Sequence, residues 1–236
     1  MNVSEQILVN YQNVITEMGE AVRSAGRPQD SVRLVGVSKY VDAPTTQCLV
    51  DAGCRDLGEN RPQVLWQKAE SLVVPQDFQW HMIGHLQTNK VRRLLKHSPL
   101  IHSVDSERLL LAIEDESKLQ SRTTDVLLEV NISGDEAKTG LPPDEVRRLA
   151  TLQKWDAIRI RGLMAMAGWG TEADEAGKQF AEVAKLRDDL QSDLGLELPE
   201  LSMGMSGDYP EAIAAGATLV RIGSALFEGV PRLAKH

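Results

Sequence analysis

Residues 32–52 read VRLVGVSKYVDAPTTQCLVDA. Val32 to Val37 is a short β-branched run bounded by polar residues, and Asp42-Ala43-Pro44 after it can cap and open a helix to about Ala52. A strand followed by a helix is predicted, and the unit recurs. Asp56-Leu57-Gly58 precedes a helical pattern containing Val64 to Leu72, and Phe78 to Ile83 precedes one around Asn89 to Lys96. Leu100 to Val104 leads to Ser106 to Leu119, Asp125 to Ile132 to Pro142 to Gln153, and Ile158 to Met166 to a long helix from about Glu172 to Leu190. Leu198 to Met203 precedes Glu211 to Ala215, and Thr218 to Ile222 precedes a last short helix, Ser224 to Phe227. Ahead of the first unit, Ile7, Val14, Ile15, Met18 and Val22 recur at helical spacing until the breaker cluster Ala25-Gly26-Arg27-Pro28.

Strict alternation of strand and helix implies parallel pairing with right-handed crossovers. An open doubly wound sheet and a closed barrel both satisfy that rule. About eight evenly spaced units in 236 residues favour the barrel, which typically needs about 250. No Pro/Gly/Ser-rich linker divides the chain. The expectation is an α/β protein: a single (β/α)8 TIM barrel with an extra N-terminal helix, residues 1–236 forming one domain.

Composition narrows the function. Hydrophobic residues at 42% and charged residues at 25% describe an ordinary globular protein, and no stretch approaches the ~20 apolar residues of a membrane span. With 26 Lys+Arg against 34 Asp+Glu the net charge is −8, which disfavours sequence-independent nucleic-acid binding. The start, MNVSEQILVN, carries no export signal, so a cytoplasmic address is expected. Cys48 and Cys54 match neither a redox pair nor a zinc half-site and are expected as reduced thiols packed near a helix and the next strand.

In such barrels ligands bind at the C-terminal ends of the strands. The polar residues there are Ser38 and Lys39, Glu59 and Asn60, His85 and Gln87, Asp105, Asn131 and Ser133, Ser206 and Gly207, then Arg221, Gly223 and Ser224. A lysine at a strand end, projecting into the mouth, loses hydration; its pKa falls and the free amine can attack a carbonyl. The alternative is a surface lysine that snorkels to water. Arg221-Ile222-Gly223-Ser224, with exposed N–H groups opening the last helix, and the small-residue loop Leu201 to Asp208 sit where these barrels hold phosphates; tight turns are the alternative. His81 and His85 are four apart but bracket Gly84 at a strand end, so no metal site is expected. The basic stretch Asn89 to His97 keeps an ordinary apolar stripe, Val91, Leu94 and Leu95. Lys138 is a rival amine, but its polar loop makes it a poor condensing group.

Val35-Gly36-Val37-Ser38-Lys39, Gly58-Glu59-Asn60, the block Trp80 to Lys90, Gly162-Leu163-Met164, Leu201 to Ser206 and Val220-Arg221-Ile222-Gly223 together resemble the YggS/PROSC family of pyridoxal 5′-phosphate homeostasis proteins. The likeness runs in order from about Leu34 to Phe227. Met164-Ala165-Met166-Ala167-Gly168-Trp169 and His85 depart from the commoner pattern. The resemblance implies a barrel similar to the N-terminal domain of alanine racemase, carrying pyridoxal phosphate as a Schiff base on Lys39. It places Ser206, Gly207, Gly223 and Ser224 at the phosphate, Arg221 at the pyridine nitrogen or the phosphate, and Asn60 near the ring.

The implied function is a carrier that buffers the cofactor and passes it to apo-enzymes, without catalytic residues or turnover. An arginine can only donate, so at the pyridine nitrogen it leaves the ring unprotonated and a poor electron sink. The alternative is a racemase of low activity. That chemistry needs a second base from an added domain, which is not expected here; Tyr40 adjoins Lys39, but neighbours on a strand point opposite ways. A barrel enzyme acting on a phosphorylated metabolite without cofactor is the third possibility. Without a second domain, a monomer is expected.

Overall fold

The computed structural model describes residues 2–132, 139–151, 155–168 and 170–233. After α1 (Val3–Ser24) come β1 (Arg33–Val37), α2 (Ala43–Asp51), β2 (Asp56–Glu59), α3 (Pro62–Ser71), β3 (Gln79–Met82) and α4 (Thr88–Leu94), which tightens into a 3-10 turn, Leu95–His97. There follow β4 (Leu100–Val104), α5 (Glu107–Leu119), β5 (Thr124–Glu129), α6 (Pro143–Thr151), β6 (Ile158–Met164), α7 (Ala173–Leu194), β7 (Glu200–Met205), α8 (Tyr209–Ala214) and β8 (Leu219–Ile222). The strands are all parallel and close in chain order, β8 pairing back on β1 with Arg221 beside Val35 and Ile222 beside Gly36. This is the expected (β/α)8 barrel.

Strand alternation separates two apolar regions. Val35, Leu100, Leu127, Met164 and Leu219 plug the inside of the barrel. A larger shell, from Leu57, Trp80, Met82 and Ile101 to Val220 and Ile222, packs between the outer faces of the strands and the helices. As expected, Val91, Leu94 and Leu95 turn inward from the basic stretch, Cys48 lies in α2, and Cys54 is buried just before β2.

The sequence expectation fails at the last unit. Ser224 to Gly229 form consecutive turns instead of a helix. Five residues between Gly223 and the positive-φ Gly229 are too few to offset helix nucleation, and the hydrogen bonds there are of the i to i+3 kind, such as Val230 N–H to Phe227 O at 3.3 Å. The outer ring is completed by α1, which packs on both α2 and α8 and so covers the face that a helix after β8 would cover. The additional N-terminal helix is thus the eighth of the ring. Asn2 and Glu5 form its capping box, and Ile7, Val14, Met18 and Val22 face inward; Ile15 lies on the outer face, 36% exposed. Buried Asn10 donates from Nδ2 to Leu226 O at 3.2 Å and Glu228 O at 2.9 Å, tying the helix to the closing turns.

Candidate functional site

The expected site residues converge on one arc of the C-terminal mouth, the ends of β7, β8, β1 and β2, which are adjacent in the barrel. Lys39 does not extend β1. It sits half-buried in a turn closed by Val41 N–H to Ser38 O at 3.1 Å, so the alternation rule no longer governs it and Tyr40. The expectation that Tyr40 points away is corrected: Lys39 Nζ lies 5.0 Å from the centroid of its ring. The C-terminal segment crosses this turn, Leu233 N–H donating to Tyr40 O at 2.7 Å.

Behind the turn is a buried cluster that sequence reading missed. Lys68 Nζ of α3 donates to Ser38 O at 2.8 Å and to Glu59 Oε1 at 2.6 Å, and Ser38 Oγ donates to the same carboxylate oxygen at 2.6 Å. The two ionic side chains are 4% and 0% exposed, and burial pushes the Lys68 ammonium below its ordinary range against the pull of Glu59. Glu59 therefore faces α3 behind the strand end rather than the mouth, while Asn60, half-buried, follows at the rim. The Asn60 backbone sits so close to Gly84 that a Cβ there would lie 2.3 Å from Asn60 O.

The β7 turn is built by reciprocal bonds. Met205 N–H donates to Asp208 Oδ1 at 2.6 Å and Asp208 N–H to Met205 O at 3.1 Å, leaving Ser206 and Gly207 at the tip. Gly204 enters this turn at φ +86°, and a Cβ on it would sit 2.7 Å from that of Ala212. At β8, Gly223 backs on β1, where a Cβ would meet Val37 O at 3.0 Å, and exposed Ser224 opens the closing turns. Without a final helix, any oxyanion held there relies on turn amides and hydroxyls.

Arg221 lies inside the barrel, 5% exposed. Its Nη1 donates to Ser202 O at 2.7 Å and Ser202 Oγ at 2.6 Å, and its Nη2 to Ala165 O at 3.0 Å. Burial pushes its pKa down to about 10, opposed by Asp208 and Glu129, so it is a cation at neutral pH. Glu129, the inward-facing end of β5, was not singled out from sequence. Burial raises its pKa, with Asp105 adding to the rise, and its Oε1 accepts from Thr139 Oγ1 at 2.5 Å. A polar residue between Leu128 and Val130 in a strand was the available signal. Glu129 and Asp208 line, with Asn131, Met166, Gly168 and Gly207, a cavity of about 650 Å³ on the β5 to β7 side of the mouth.

The remaining candidates lie apart. His81 is buried inside the barrel while His85 is on the surface with Asp105 Oδ2 3.1 Å from Nδ1, so the two rings do not face one another. Among the described residues no cluster of His, Cys, Asp and Glu is arranged to hold a metal ion, and no helix is long and apolar enough to cross a membrane. Ser133, Lys138 and Trp169 lie outside the described residues.

Residues 21–231 match the family described as alanine racemase, N-terminal domain. The pyridoxal phosphate homeostasis protein of Aquifex aeolicus is 37% identical over 229 residues, 96% of this chain and 98% of its own. That of Deinococcus radiodurans is 40% identical over 216 residues, 91% and 97% of the two chains. Among solved structures, PipY of Synechococcus elongatus with PLP bound superposes with a TM-score of 0.79 at 37% identity, over 90% of this chain and 99% of its own. An alanine racemase from Clostridium difficile shares the fold, with a TM-score of 0.70 at 16% identity over 93% of this chain and 56% of its own.

Proposed function

Because the chain belongs to the pyridoxal phosphate homeostasis protein family, built on the alanine racemase N-terminal domain fold, we propose that it binds pyridoxal 5′-phosphate through a Schiff base on Lys39 and serves homeostasis and supply of that cofactor without turnover. The observation that carries this reading is the arc of β7, β8, β1 and β2, which brings a half-buried amine, a buried guanidinium and two small-residue turns to one side of the mouth. That donor set fits an aldehyde-bearing phosphate ester. Lys39 suits the aldehyde carbon, the hydroxyls and amides of Ser206, Gly207, Gly223 and Ser224 suit the phosphate, Arg221 suits the pyridine nitrogen, and Asn60 suits the ring edge.

When bound, pyridoxal phosphate supplies an aldehyde open to a lysine amine and, if its ring nitrogen is protonated, an electron sink. Arg221 is a cation with three of its N–H bonds spoken for by Ser202 and Ala165, so it can only donate outward. It leaves the ring nitrogen unprotonated, which favours holding the cofactor over turning over amino acids. A cytoplasmic monomer that delivers to apo-enzymes completes the reading.

The test is the visible spectrum of the purified chain with pyridoxal phosphate. A yellow band that borohydride removes, leaving a pyridoxyl adduct on Lys39, is expected, and Lys39→Ala is expected to abolish both. Full occupancy and affinity in Lys39→Ala would refute covalent attachment. Exchange of an amino acid α-proton with solvent, lost in Lys39→Ala, would assign the racemase activity instead.

A further inference from the structure

Arg221 is one end of a buried hydrogen-bond chain that crosses the inside of the barrel. Its Nη1 lies 2.6 Å from Ser202 Oγ, which lies 2.8 Å from His102 Nδ1. His102 Nε2 is 2.8 Å from His81 Nδ1, and His81 Nε2 is 2.8 Å from Asp56 Oδ1. Ser202 and both imidazoles are fully buried. Asp56, the first residue of β2, stands at the opposite end from the mouth, where Arg33 of β1 bridges it at 3.1 Å and Glu200 of β7 at 2.9 Å. At the other end Arg221 is flanked by Glu129 and Asp208. Five strands thus contribute one polar side chain each to a single file.

The chemistry of the two ends dictates the direction of the file. A guanidinium can only donate and an ionised carboxylate can only accept, a neutral imidazole does one of each, and a hydroxyl donates once and can accept twice. Facing the carboxylate, His81 carries its proton on Nε2 and donates to Asp56, so its Nδ1 accepts from His102 Nε2–H. His102 Nδ1 is then bare and accepts from the Ser202 hydroxyl, whose oxygen accepts from Arg221. Burial holds both imidazoles below their ordinary pKa, and for His102 the nearby Arg221 and Arg33 add to the effect, so both rings are neutral as this pattern requires. No other assignment satisfies every link with neutral rings.

We propose that Asp56 is a positioning residue for Arg221: by fixing one direction of donation through His81, His102 and Ser202, the carboxylate at the closed end sets the aim and donor strength of the guanidinium at the mouth. The consequence for cofactor binding rests on the function proposed above. The control of Arg221 by Asp56 does not.

Two measurements separate these. Long-range 1H–15N NMR of the chain without cofactor is expected to show both His81 and His102 protonated on Nε2 alone at neutral pH; an Nδ1–H form or a doubly protonated ring would overturn the proposal. Asp56→Asn keeps an acceptor oxygen and removes the charge, while Ser202→Ala cuts the file next to Arg221. Asp56→Asn is expected to move the Arg221 side-chain 15N–1H resonances and to weaken pyridoxal phosphate binding about three- to tenfold, and to do neither in the Ser202→Ala background. Equal effects in both backgrounds, or unmoved Arg221 resonances, would overturn it. Coupled resonances in a chain that binds no pyridoxal phosphate would refute the cofactor reading while supporting the control of Arg221. Should Asp56→Asn not fold, His81→Phe, which cuts the file between Asp56 and His102, is read in the same two backgrounds with the same outcomes.

Discussion

Arg221 owes its fixed position to geometry that only a guanidinium has. Three N–H bonds reach Ser202 O, Ser202 Oγ and Ala165 O on two neighbouring chain segments, a span that a point-charge ammonium does not cover. Arg221→Lys is therefore expected to leave at least one buried acceptor unpaired and to lower the unfolding free energy by about 2–4 kcal/mol in urea titration. An unchanged midpoint would mean that the guanidinium contributes nothing to holding β6 and β7 together. That this position is an arginine was plain from sequence, and so was its place in a strand. Its partners were not, because Ser202 and Ala165 lie 19 and 56 residues away in the chain.

At the scale of elements, the ion pair between α3 and the end of β2 fixes the Lys39 turn from behind. Lys68 bonds both the Glu59 carboxylate and the Ser38 carbonyl, and the latter also accepts from Val41 in closing the turn. Removing one partner from a buried pair strands the other charge, so Lys68→Met is expected to cost about 3–5 kcal/mol by chemical denaturation. Replacing both, Lys68→Met with Glu59→Leu, is expected to cost less than Lys68→Met alone. Glu59 was visible as a polar strand-end residue, but the side of the sheet it takes was not. Gly58 and Glu59 alternate across the sheet, and one residue of register decides between barrel interior and helix face. The turns at Ser224 to Gly229 teach the complementary lesson, since α1 occupies the position that local pattern had reserved for a helix after β8.

For the whole molecule, the buried imidazoles make stability depend on pH. In the folded chain His81 and His102 have lowered pKa values, through burial first, with Asp56 and Glu200 opposing Arg33 around His81, and with His81, Arg221 and Arg33 acting on His102. An unfolded histidine binds a proton below about pH 6.5. Between that pH and the depressed folded values the unfolded state holds more protons, so stability rises with pH there and falls as the pH drops below about 6.5. The slope is expected to reach up to about 1.4 kcal/mol per pH unit for each histidine. Thermal midpoints measured from pH 7.5 to 5 check this; a flat profile over that range would show that one or both rings protonate freely in the folded barrel.

The amino-acid sequence by itself determined the eight strands, the helices that follow the first seven and the closed parallel barrel they imply, and it singled out Lys39 and Arg221 as candidates for chemistry. Those properties are written locally, in hydrophobic period, caps and breakers, or in short motifs. Tertiary structure alone decided that α1 completes the helix ring, that Lys68 holds the lysine turn, and that Asp56, His81, His102 and Ser202 form one file ending on Arg221. Folding sets each of these, because it brings elements far apart in the chain into contact and, for the file, places side chains of five strands within hydrogen-bond reach away from solvent, where an unpaired donor or acceptor is costly.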